Sequence, residues 1–445
     1  MPGLVELCLK SYNRPVNWFT MNLFVSNPSR ASRSPLHILH VIDSLSPADG
    51  GPPEAVRQLV HAYLEVGDAI ELLCLDSPGE AFLKKIPCPV HALGPSFIGR
   101  YGFSPRLWRW LHANAHRFDG IVMNGIWTFP DLAVRSAAHR AQKPYGIFAH
   151  GALDPWFNRT YPFKHFKKIL YWPIQYAVLR DARAVFFTSE TERDLAKASF
   201  SPNRWHSVVV PYGINDPEER RRASEEHIDT GDERRTESRG GPAEQKEAFY
   251  RAVPELRGRR YLLFLARIHE KKGCDLLLRA FANTAASVPE VDLVIAGPDK
   301  SGLKAKLQRL AEKLGISERV HWPGLLGGEI KWGAIRACDA FVLPSHQENF
   351  GIAVVEALAV GRPVLISEQV NIWKNIEADG VGLVDQDTLE GTERLLRRWF
   401  NLPTAEREAM GALAQDSFAR RYAMKRAAVA INKLFTPGEL GRPPE

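Results

Sequence analysis

Several features that define other protein classes are scarce or missing in this sequence of 445 residues. No run of 18 or more apolar residues occurs, so no membrane-spanning helix is predicted. The five cysteines are scattered without the spacing of a metal site, which indicates a reducing, cytoplasmic compartment. Residues 1–35 lack the layout of a secretory signal, and we expect a poorly ordered leader with Met21 as an alternative start.

The charge of the chain is unevenly distributed. Residues 1–214 contain 23 Lys and Arg against 16 Asp and Glu, whereas the remainder holds 35 of each. The basic surplus suits an anionic partner, such as a membrane, a lipid-linked phosphate or a nucleic acid. Ordinary variation of surface charge explains it equally well. No nucleic-acid-binding motif is recognisable, so a nucleic-acid partner is not expected.

Apolar strand-like segments alternate with amphipathic helical segments along most of the chain, which predicts an α/β protein with parallel sheets. The alternation is interrupted at 215–245, a charged stretch that predicts a flexible linker or insertion. We therefore expect two doubly wound domains, at 36–214 and 246–420. A C-terminal helix within 421–445 is expected to return to the first domain.

Two cations follow a predicted strand of the second domain. Arg267 lies just past the strand and Lys272, with Gly273, closes the loop before a helix. Such a pair beside a helix N-terminus forms a natural diphosphate site, with a planar fork from Arg267 and a point charge from Lys272. Two solvated loop charges are the alternative.

The segment "SHQENFGIAVVEALAVG" holds two carboxylates, Glu348 and Glu356, with seven residues between them. Glu348 precedes a predicted helix, whose free N–H groups at 349–352 can receive phosphate or sugar oxygens. Glu356 lies within the apolar helix and needs polar partners, which two ribose hydroxyls would supply. A capping acid and a salt-bridged helix residue are the structural alternatives.

Two further motifs carry weaker signals. Gly50 and Gly51, in a loop after the first strand, allow a ligand close to the backbone, or form a tight turn. Asp385 and Asp387 form a D-x-D pattern, but Asp387 or Thr388 makes a good helix N-cap. We therefore predict no bound metal and no cofactor.

Taken together, Arg267-x4-Lys272-Gly273 and the E-x7-E pattern of Glu348 and Glu356 resemble the family 4 glycosyltransferases of GT-B architecture. The resemblance runs from about Leu36 to the C-terminus outside 215–245, and is strongest over 261–367. It implies two Rossmann-like domains facing an interdomain cleft, and transfer of a sugar from a nucleoside diphosphate sugar (NDP-sugar) with retention of anomeric configuration.

The resemblance also implies roles for single residues. Arg267 and Lys272 would hold the donor diphosphate, Glu356 the ribose, and Glu348 would face the sugar near its reacting carbon. Backbone groups of three neighbouring residues would support sugar and phosphate, namely Asn349, Phe350 and Gly351. Gly50 and Gly51 would line the cleft from the first domain.

Two positions of the first domain are also compared with the family. His150, in "FAHGALDPW", matches the family's sugar-facing His-Gly, and a histidine satisfied by an ordinary hydrogen bond is the alternative. Tyr212 stands where many relatives have Asn, which leaves the role of that side chain open.

Residues 158–182 mix lysines with interfacial aromatic residues, which suits the edge of an anionic bilayer. A core helix with a solvated basic face is the alternative.

We expect a cytoplasmic, hexosyltransferase-type enzyme that is peripheral on the inner membrane. It would extend a glycan or lipid-linked acceptor in cell-surface polysaccharide or lipopolysaccharide biosynthesis. A non-catalytic sugar-nucleotide or glycan-binding subunit on the same scaffold is the alternative.

Overall fold

The computed structural model describes residues 34–210, 212–219 and 240–436, and contains two parallel sheets with helices on both faces. The predicted leader and most of the predicted linker lie outside the described residues. The elements of the first half, in chain order, are β1 (His37–Ile42), α1 (Gly51–Val66), β2 (Ala69–Cys74), β3 (Val90–Ala92), α2 (Pro105–Asn114), β4 (Gly120–Asn124), α3 (Phe129–Ala141), β5 (Tyr145–Phe148), α4 (Pro155–Thr160), α5 (Pro162–Arg180), β6 (Ala184–Phe187), α6 (Glu190–Lys197) and β7 (Ser207–Val209).

The second half continues the alternation of strand and helix. Its elements are α7 (Pro242–Ala252), β8 (Arg260–Leu265), α8 (Cys274–Ala285), β9 (Val291–Ala296), α9 (Leu303–Lys313), β10 (Val320–Gly324), α10 (Gly328–Ala337), β11 (Ala340–Leu343), α11 (Ile352–Ala359), β12 (Val364–Ser367), α12 (Trp373–Asp379), β13 (Gly382–Asp385), α13 (Leu389–Asn401), α14 (Thr404–Arg421) and α15 (Met424–Phe435).

Both sheets reverse their strand order in the middle. Among the described residues, the first runs β3-β2-β1-β4-β5-β6-β7 and the second β10-β9-β8-β11-β12-β13. Every residue of β4, β9 and β11 is buried, as helices on both faces require. Ligands of such sheets bind at the carboxyl ends of the strands where the order reverses, here beside β1 and β4 and beside β8 and β11. The α/β class and GT-B-like architecture predicted from the sequence are confirmed.

The end of the chain returns to the first sheet. After α14 the backbone pairs with Ile214 at Ala423, and α15 then packs along α1. Gly120 lies directly against the Phe435 ring. A Cβ added at Gly120 would lie 2.3 Å from that ring, and Phe435 would have to move to relieve the clash. Asn432 donates a hydrogen bond to Asp68, whose other oxygen accepts the Leu36 N–H.

The stretch predicted as a linker, 215–245, is partly built into the fold. Asn215 hydrogen-bonds the Gln58 backbone and side chain, and Glu218 pairs with Arg336. Helix α7 begins at Pro242, inside the predicted linker, and the Glu244 carboxylate accepts the Gly241 N–H at 3.0 Å. Pro at the first helical position and this acid set the helix start, so α7 begins within 215–245. Within the described residues, no helix is long and apolar enough to cross a bilayer.

Candidate active site

The loops after β1 and β8 face each other across the cleft between the two sheets. Gly50, the residue before α1, has a φ of 94°, a conformation that favours glycine. A Cβ added at Gly50 would lie 3.8 Å from the Nε atom of Arg267. The Oδ1 atom of the neighbouring Asp49 lies 3.9 Å from the Nζ atom of Lys300 in the second half. The Gly-Gly turn therefore allows the Arg267 guanidinium to approach the backbone of the first domain.

The second cation of the loop after β8 lies beside the first acid of the E-x7-E pattern. Lys272 is buried, and its ammonium group donates a hydrogen bond to the Glu348 carboxylate. Burial, with the charges of Lys271 and Arg267 nearby, lowers the pKa of Lys272 well below its ordinary value. The Glu348 carboxylate favours the charged ammonium and opposes that shift. A diphosphate between Arg267 and Lys272 would do the same.

Glu348 is held by a short loop between β11 and α11. Its N–H donates to the Gln369 carbonyl and its carbonyl accepts the Asn371 N–H, so the loop is fixed against the segment after β12. Gly351, with a φ of 79°, turns the chain into α11. Within residues 240–436, the N–H groups of Phe350 and Gly351 have no hydrogen-bond partner that would compete with a ligand. The start of α11 therefore offers donors beside Lys272 and Glu348.

Glu356, the second acid, is buried on α11 and pairs with a lysine that the sequence did not single out. Lys331 Nζ, on α10, lies 2.7 Å from Glu356 Oε1. Lys331 also acts on Glu54 of the first domain: burial raises the pKa of Glu54, but the charges of Lys331 and Arg57 bring it below the ordinary value. Glu356 is thus a salt-bridged helix residue in this state, and a ribose would have to share it with Lys331.

His150 lies at the turn after β5, and its neighbour Gly151 contacts the second domain. Its φ of 46° is rare outside glycine, and the neighbouring Gly151 packs against the Asn349 side chain. Burial lowers the pKa of His150 to about 4, so the ring is neutral at pH 7. Within the part of the chain that the structure describes, its Nε2 atom is buried without a hydrogen-bond partner. An orphaned polar atom of this kind costs roughly 1–3 kcal/mol until a partner arrives.

A buried acid of the first domain fixes the His150 turn. Glu192 accepts hydrogen bonds from the Gly151 N–H and from both the N–H and the hydroxyl of Thr188, each at 2.7 Å. Thr188 in turn accepts a hydrogen bond from Asn349 at 3.3 Å. Glu192, Thr188 and Lys331 are the residues around the site that the sequence reasoning missed, because only tertiary contacts mark them.

A second bridge between the domains lies one residue from Lys272. Lys271 Nζ is 3.3 Å from Gln347 Oε1, and Gln347 donates a hydrogen bond to Asp154 at 3.1 Å. Burial, and then Arg267, lower the pKa of Lys271 to about 8. A groove of about 780 Å³ opens beside this bridge, lined by Lys271 and His346 of the second domain and by Trp156 and Tyr161 of the first.

The two carboxylates of the D-x-D pattern serve the second domain's own structure. Asp385 pairs with Arg394 and Asp387 with His346. Thr388 accepts a hydrogen bond from the Gly391 N–H at 3.0 Å and is the N-cap of α13. Asp387 and Thr388 were the two residues predicted for that cap. Within the described residues, no group of three or more His, Cys, Asp or Glu side chains could hold a metal ion.

The structure brings most of the predicted residues to one cleft. Gly50, Arg267, Lys272 and Glu348 form one group, and His150 joins it through Gly151 and Asn349. Gly51 approaches Ile352 at the start of α11, with an added Cβ 3.7 Å from its Cδ1 atom. The Phe350 ring packs between Tyr212 and Tyr422, so only its backbone can serve a ligand. Among the described residues, Glu356 makes no direct contact with Arg267 and faces Lys331.

Comparisons with known proteins agree with this geometry. Residues 50–213 match the family model "Glycosyl transferase 4-like domain" and residues 246–416 match "Glycosyl transferases group 1". The chain is 35% identical over 183 residues to the D-inositol 3-phosphate glycosyltransferase of Streptomyces griseus subsp. griseus. That match spans 39% of this chain and 38% of the relative's own length.

Two solved structures share the whole fold. Anabaena Alr3699/HepE, in complex with UDP and glucose, aligns with a TM-score of 0.68 and 17% identity over 89% of this chain and 98% of that chain. WaaG, a glycosyltransferase involved in lipopolysaccharide biosynthesis, aligns with a TM-score of 0.62 and 17% identity over 90% of this chain and 100% of that chain. With both family models matched in order, and the two sheets facing one cleft, the chain belongs to the family 4 glycosyltransferases of GT-B architecture.

Proposed function

We propose that the protein transfers a sugar from an NDP-sugar to a glycan or lipid-linked acceptor, with retention of configuration at the anomeric carbon. The observation that carries this proposal is the convergence of Gly50 and Arg267, from opposite domains, beside the Lys272–Glu348 pair. That arrangement offers two cations, helix N–H groups and one carboxylate to a single ligand. A diphosphate with an attached sugar presents the matching groups.

The reaction breaks the bond between the anomeric carbon and the diphosphate, which leaves negative charge on the phosphate. Arg267, Lys272 and the N–H groups at the start of α11 stabilise that charge as it develops. Lys272 is released from Glu348 to do so. The freed Glu348 carboxylate then faces the sugar, where a negative charge stabilises the positive charge that builds up at the reacting carbon. No metal ion or cofactor is part of the proposal.

His150 contributes from the first domain. Because its ring is neutral at pH 7 and one nitrogen has no partner in the described structure, it can hydrogen-bond a hydroxyl of the donor sugar. Glu192 is a positioning residue, since it holds the turn of His150 through the Gly151 N–H. The retaining outcome is supported by family membership and not by a carboxylate placed as a nucleophile.

The acceptor class and cellular role are inferred from the likeness to WaaG and from the basic first domain. We place the enzyme in cell-surface polysaccharide or lipopolysaccharide biosynthesis, at the cytoplasmic face of the inner membrane. UDP and UDP-sugars are the first donors to test, because Alr3699/HepE binds UDP with glucose. A thermal-shift screen against a panel of NDP-sugars identifies the donor, since stabilisation follows occupancy.

Calorimetry with UDP and GDP tests the site. Arg267→Ala removes the charge that faces Gly50. It should weaken binding of whichever of UDP and GDP binds the wild type more tightly, by about 30-fold or more. Glu356→Ala should weaken it by about 10-fold, because ribose hydroxyls lose an acceptor. Arg397→Ala, which removes an exposed ion pair with Glu393 on α13, is the matched control and should leave the affinity unchanged.

Unchanged nucleotide affinity in both site variants would overturn the proposal. Tight nucleotide binding without turnover of any donor would instead favour a non-catalytic sugar-nucleotide-binding subunit. The intact pairing of Lys272 with Glu348 favours the enzyme, because a pure binding protein has no need of a carboxylate at the reacting carbon.

A further inference from the structure

Exposed large apolar side chains are concentrated on one element of the first domain. On α5, the exposed apolar residues are Phe163, Phe166, Ile169, Leu170 and Ile174. Phe163 is 89% exposed and Leu170 is 68% exposed. The spacing of three and four residues places them along one side of the helix. A contiguous exposed apolar surface of this kind marks an interaction site rather than ordinary surface.

A second chain segment extends this surface. Phe97 and Ile98 are also exposed, at 63% and 70%, in a loop that bends back so that Phe97 pairs with Phe103. The loop lies beside α5, because the hydroxyl of Tyr101 is 3.3 Å from that of Tyr171. We define the apolar face as the five exposed α5 residues together with Phe97 and Ile98. The face is thus built from two segments and is not a property of α5 alone.

The two chain segments that form the apolar face carry charge of a single sign. Residues 81–118, which contain the loop, and 155–180, which contain α5, include no Asp or Glu at all. The two segments carry 11 of the 23 Lys and Arg residues of 1–214. Lys167 is exposed on α5 between Phe166 and Leu170. A protein partner buried against apolar residues would not require acids to be absent from both segments, whereas an anionic lipid surface would.

We propose that the apolar face docks on an anionic lipid bilayer, with the aromatic and aliphatic side chains entering the headgroup boundary and the cations meeting lipid phosphates. An amphipathic helix with aromatic and leucine residues on one face and lysines beside them binds membranes in this way. Each basic residue near an anionic surface adds to the attraction, and salt weakens it. The helix lies on the membrane and does not cross it, in agreement with the lack of a spanning helix among the described residues.

The position of the face also fits a lipid-linked acceptor. Tyr161, immediately before α5, and Trp156 on α4 line the groove of about 780 Å³ that opens beside Lys271. A sugar-bearing headgroup anchored in the bilayer at α5 would thus enter the cleft along this groove. This link to the acceptor rests on the proposed function, whereas the docking itself does not.

Vesicle co-sedimentation of the full chain, without nucleotide, tests the docking. We expect the protein to bind vesicles of phosphatidylcholine mixed with phosphatidylglycerol, to bind phosphatidylcholine alone far less, and to be released by salt. The double variant Phe166→Ser/Leu170→Ser should lower the bound fraction about 10-fold. Leu64→Ser/Leu413→Ser is the matched control, because these leucines are exposed at 45% and 47% on α1 and α14. The control should bind as the wild type does.

Two measurements separate this inference from the rest. UDP and GDP affinity, measured without vesicles, should be the same in the wild type and both double variants, which also shows that they fold. Vesicle binding that is absent, or unchanged in Phe166→Ser/Leu170→Ser, overturns the docking and leaves the proposed function standing. Light scattering measures the oligomeric state. If the wild type were a dimer and Phe166→Ser/Leu170→Ser a monomer, with vesicle binding unaffected, the apolar face would be a subunit interface and the proposal would be overturned.

Discussion

The two halves of the molecule share an architecture and differ in how they treat charge and backbone strain. In the second half, Lys and Arg equal Asp and Glu in number, and ion pairs join separate segments of the chain, as Arg259 with Asp292 and Arg421 with Asp379. In the first half the cations exceed the acids by seven, and a large apolar face is exposed. The first half thus exposes more large apolar residues and a greater basic surplus than the second half does.

Backbone conformation shows the same contrast. Among the described residues, the non-glycine residues with positive φ are Ile98, Trp127, Gln142 and His150, and all four belong to the first half. Gln142 is the C-cap of α3, which is an ordinary place for that conformation. The other three lie at the apolar face, at the carboxyl end of β4 and at the cleft. Strained residues persist where surrounding structure holds them, often at functional sites. In the second half the positive-φ positions described are all glycine, whereas the first half also uses non-glycine residues there.

Replacing His150 should have the largest effect and should separate the two halves kinetically. His150→Asn keeps a residue that tolerates the left-handed conformation but loses the imidazole, so kcat should fall about 100-fold. The affinity for UDP should not change, because His150 is proposed to contact the donor sugar, which UDP lacks. Gln142→Asn is the matched control at another left-handed position, and should alter neither quantity.

An equal loss of kcat and of UDP affinity in His150→Asn would contradict this division of labour. It would show that His150 contacts the nucleotide and not the donor sugar alone. Steady-state kinetics with the donor from the thermal-shift screen, together with calorimetry on the same preparation, make the comparison.

The pH dependence of stability should expose a buried acid at the carboxyl end of β4. Burial raises the pKa of Asp131 to about 7, although its carboxylate accepts the Trp127 N–H at 2.9 Å. The folded state therefore binds a proton that the unfolded state has already lost between about pH 4 and pH 7. Stability must fall as pH rises through that window, by at most about 1.4 kcal/mol per pH unit.

Asp131→Asn lacks this ionisation. The free energy of unfolding of the variant minus that of the wild type should therefore increase as pH rises from 4 to 7. Denaturant unfolding at several pH values measures the difference. Burial lowers the pKa of His40 to about 3, which gives a contribution of opposite sign, but His40 is present in both proteins and cancels. A difference independent of pH would show that Asp131 is ionised throughout.

Adding one methyl group at Gly50 should have the smallest effect. Gly50→Ala strains a backbone with a φ of 94° and brings a Cβ to 3.8 Å from Arg267, so UDP affinity should fall about 5- to 10-fold. Gly67→Ala is the matched control: its φ is 83°, and nothing lies within 4 Å of the added Cβ. Both variants should lose about 1 kcal/mol of stability, and only Gly50→Ala should lose affinity. If Gly50→Ala and Gly67→Ala bound UDP equally well, the first domain would not approach the diphosphate.

Local patterns in the sequence predicted the fold well because each strand and helix carries its own period. The buried strands of both sheets and the N-cap at Thr388 follow from residues adjacent in sequence. The start of α7 was not predicted, because its proline and its capping acid lie within a stretch whose composition is mostly charged. The roles assigned to Arg267, Lys272, Glu348, Glu356 and His150 stay predictions until the variants are measured.

The sequence by itself determined the alternation of strands and helices and the chemical types available at the strand ends. The tertiary structure alone decided which of those groups meet: Lys272 with Glu348, Lys331 with Glu356, and Glu192 with the turn of His150. It also decided that the loop of Phe97 and Ile98 lies beside α5. Periodicity and capping act over a few neighbouring residues, whereas these contacts join positions 25 to 76 residues apart, where only the packed fold brings side chains together.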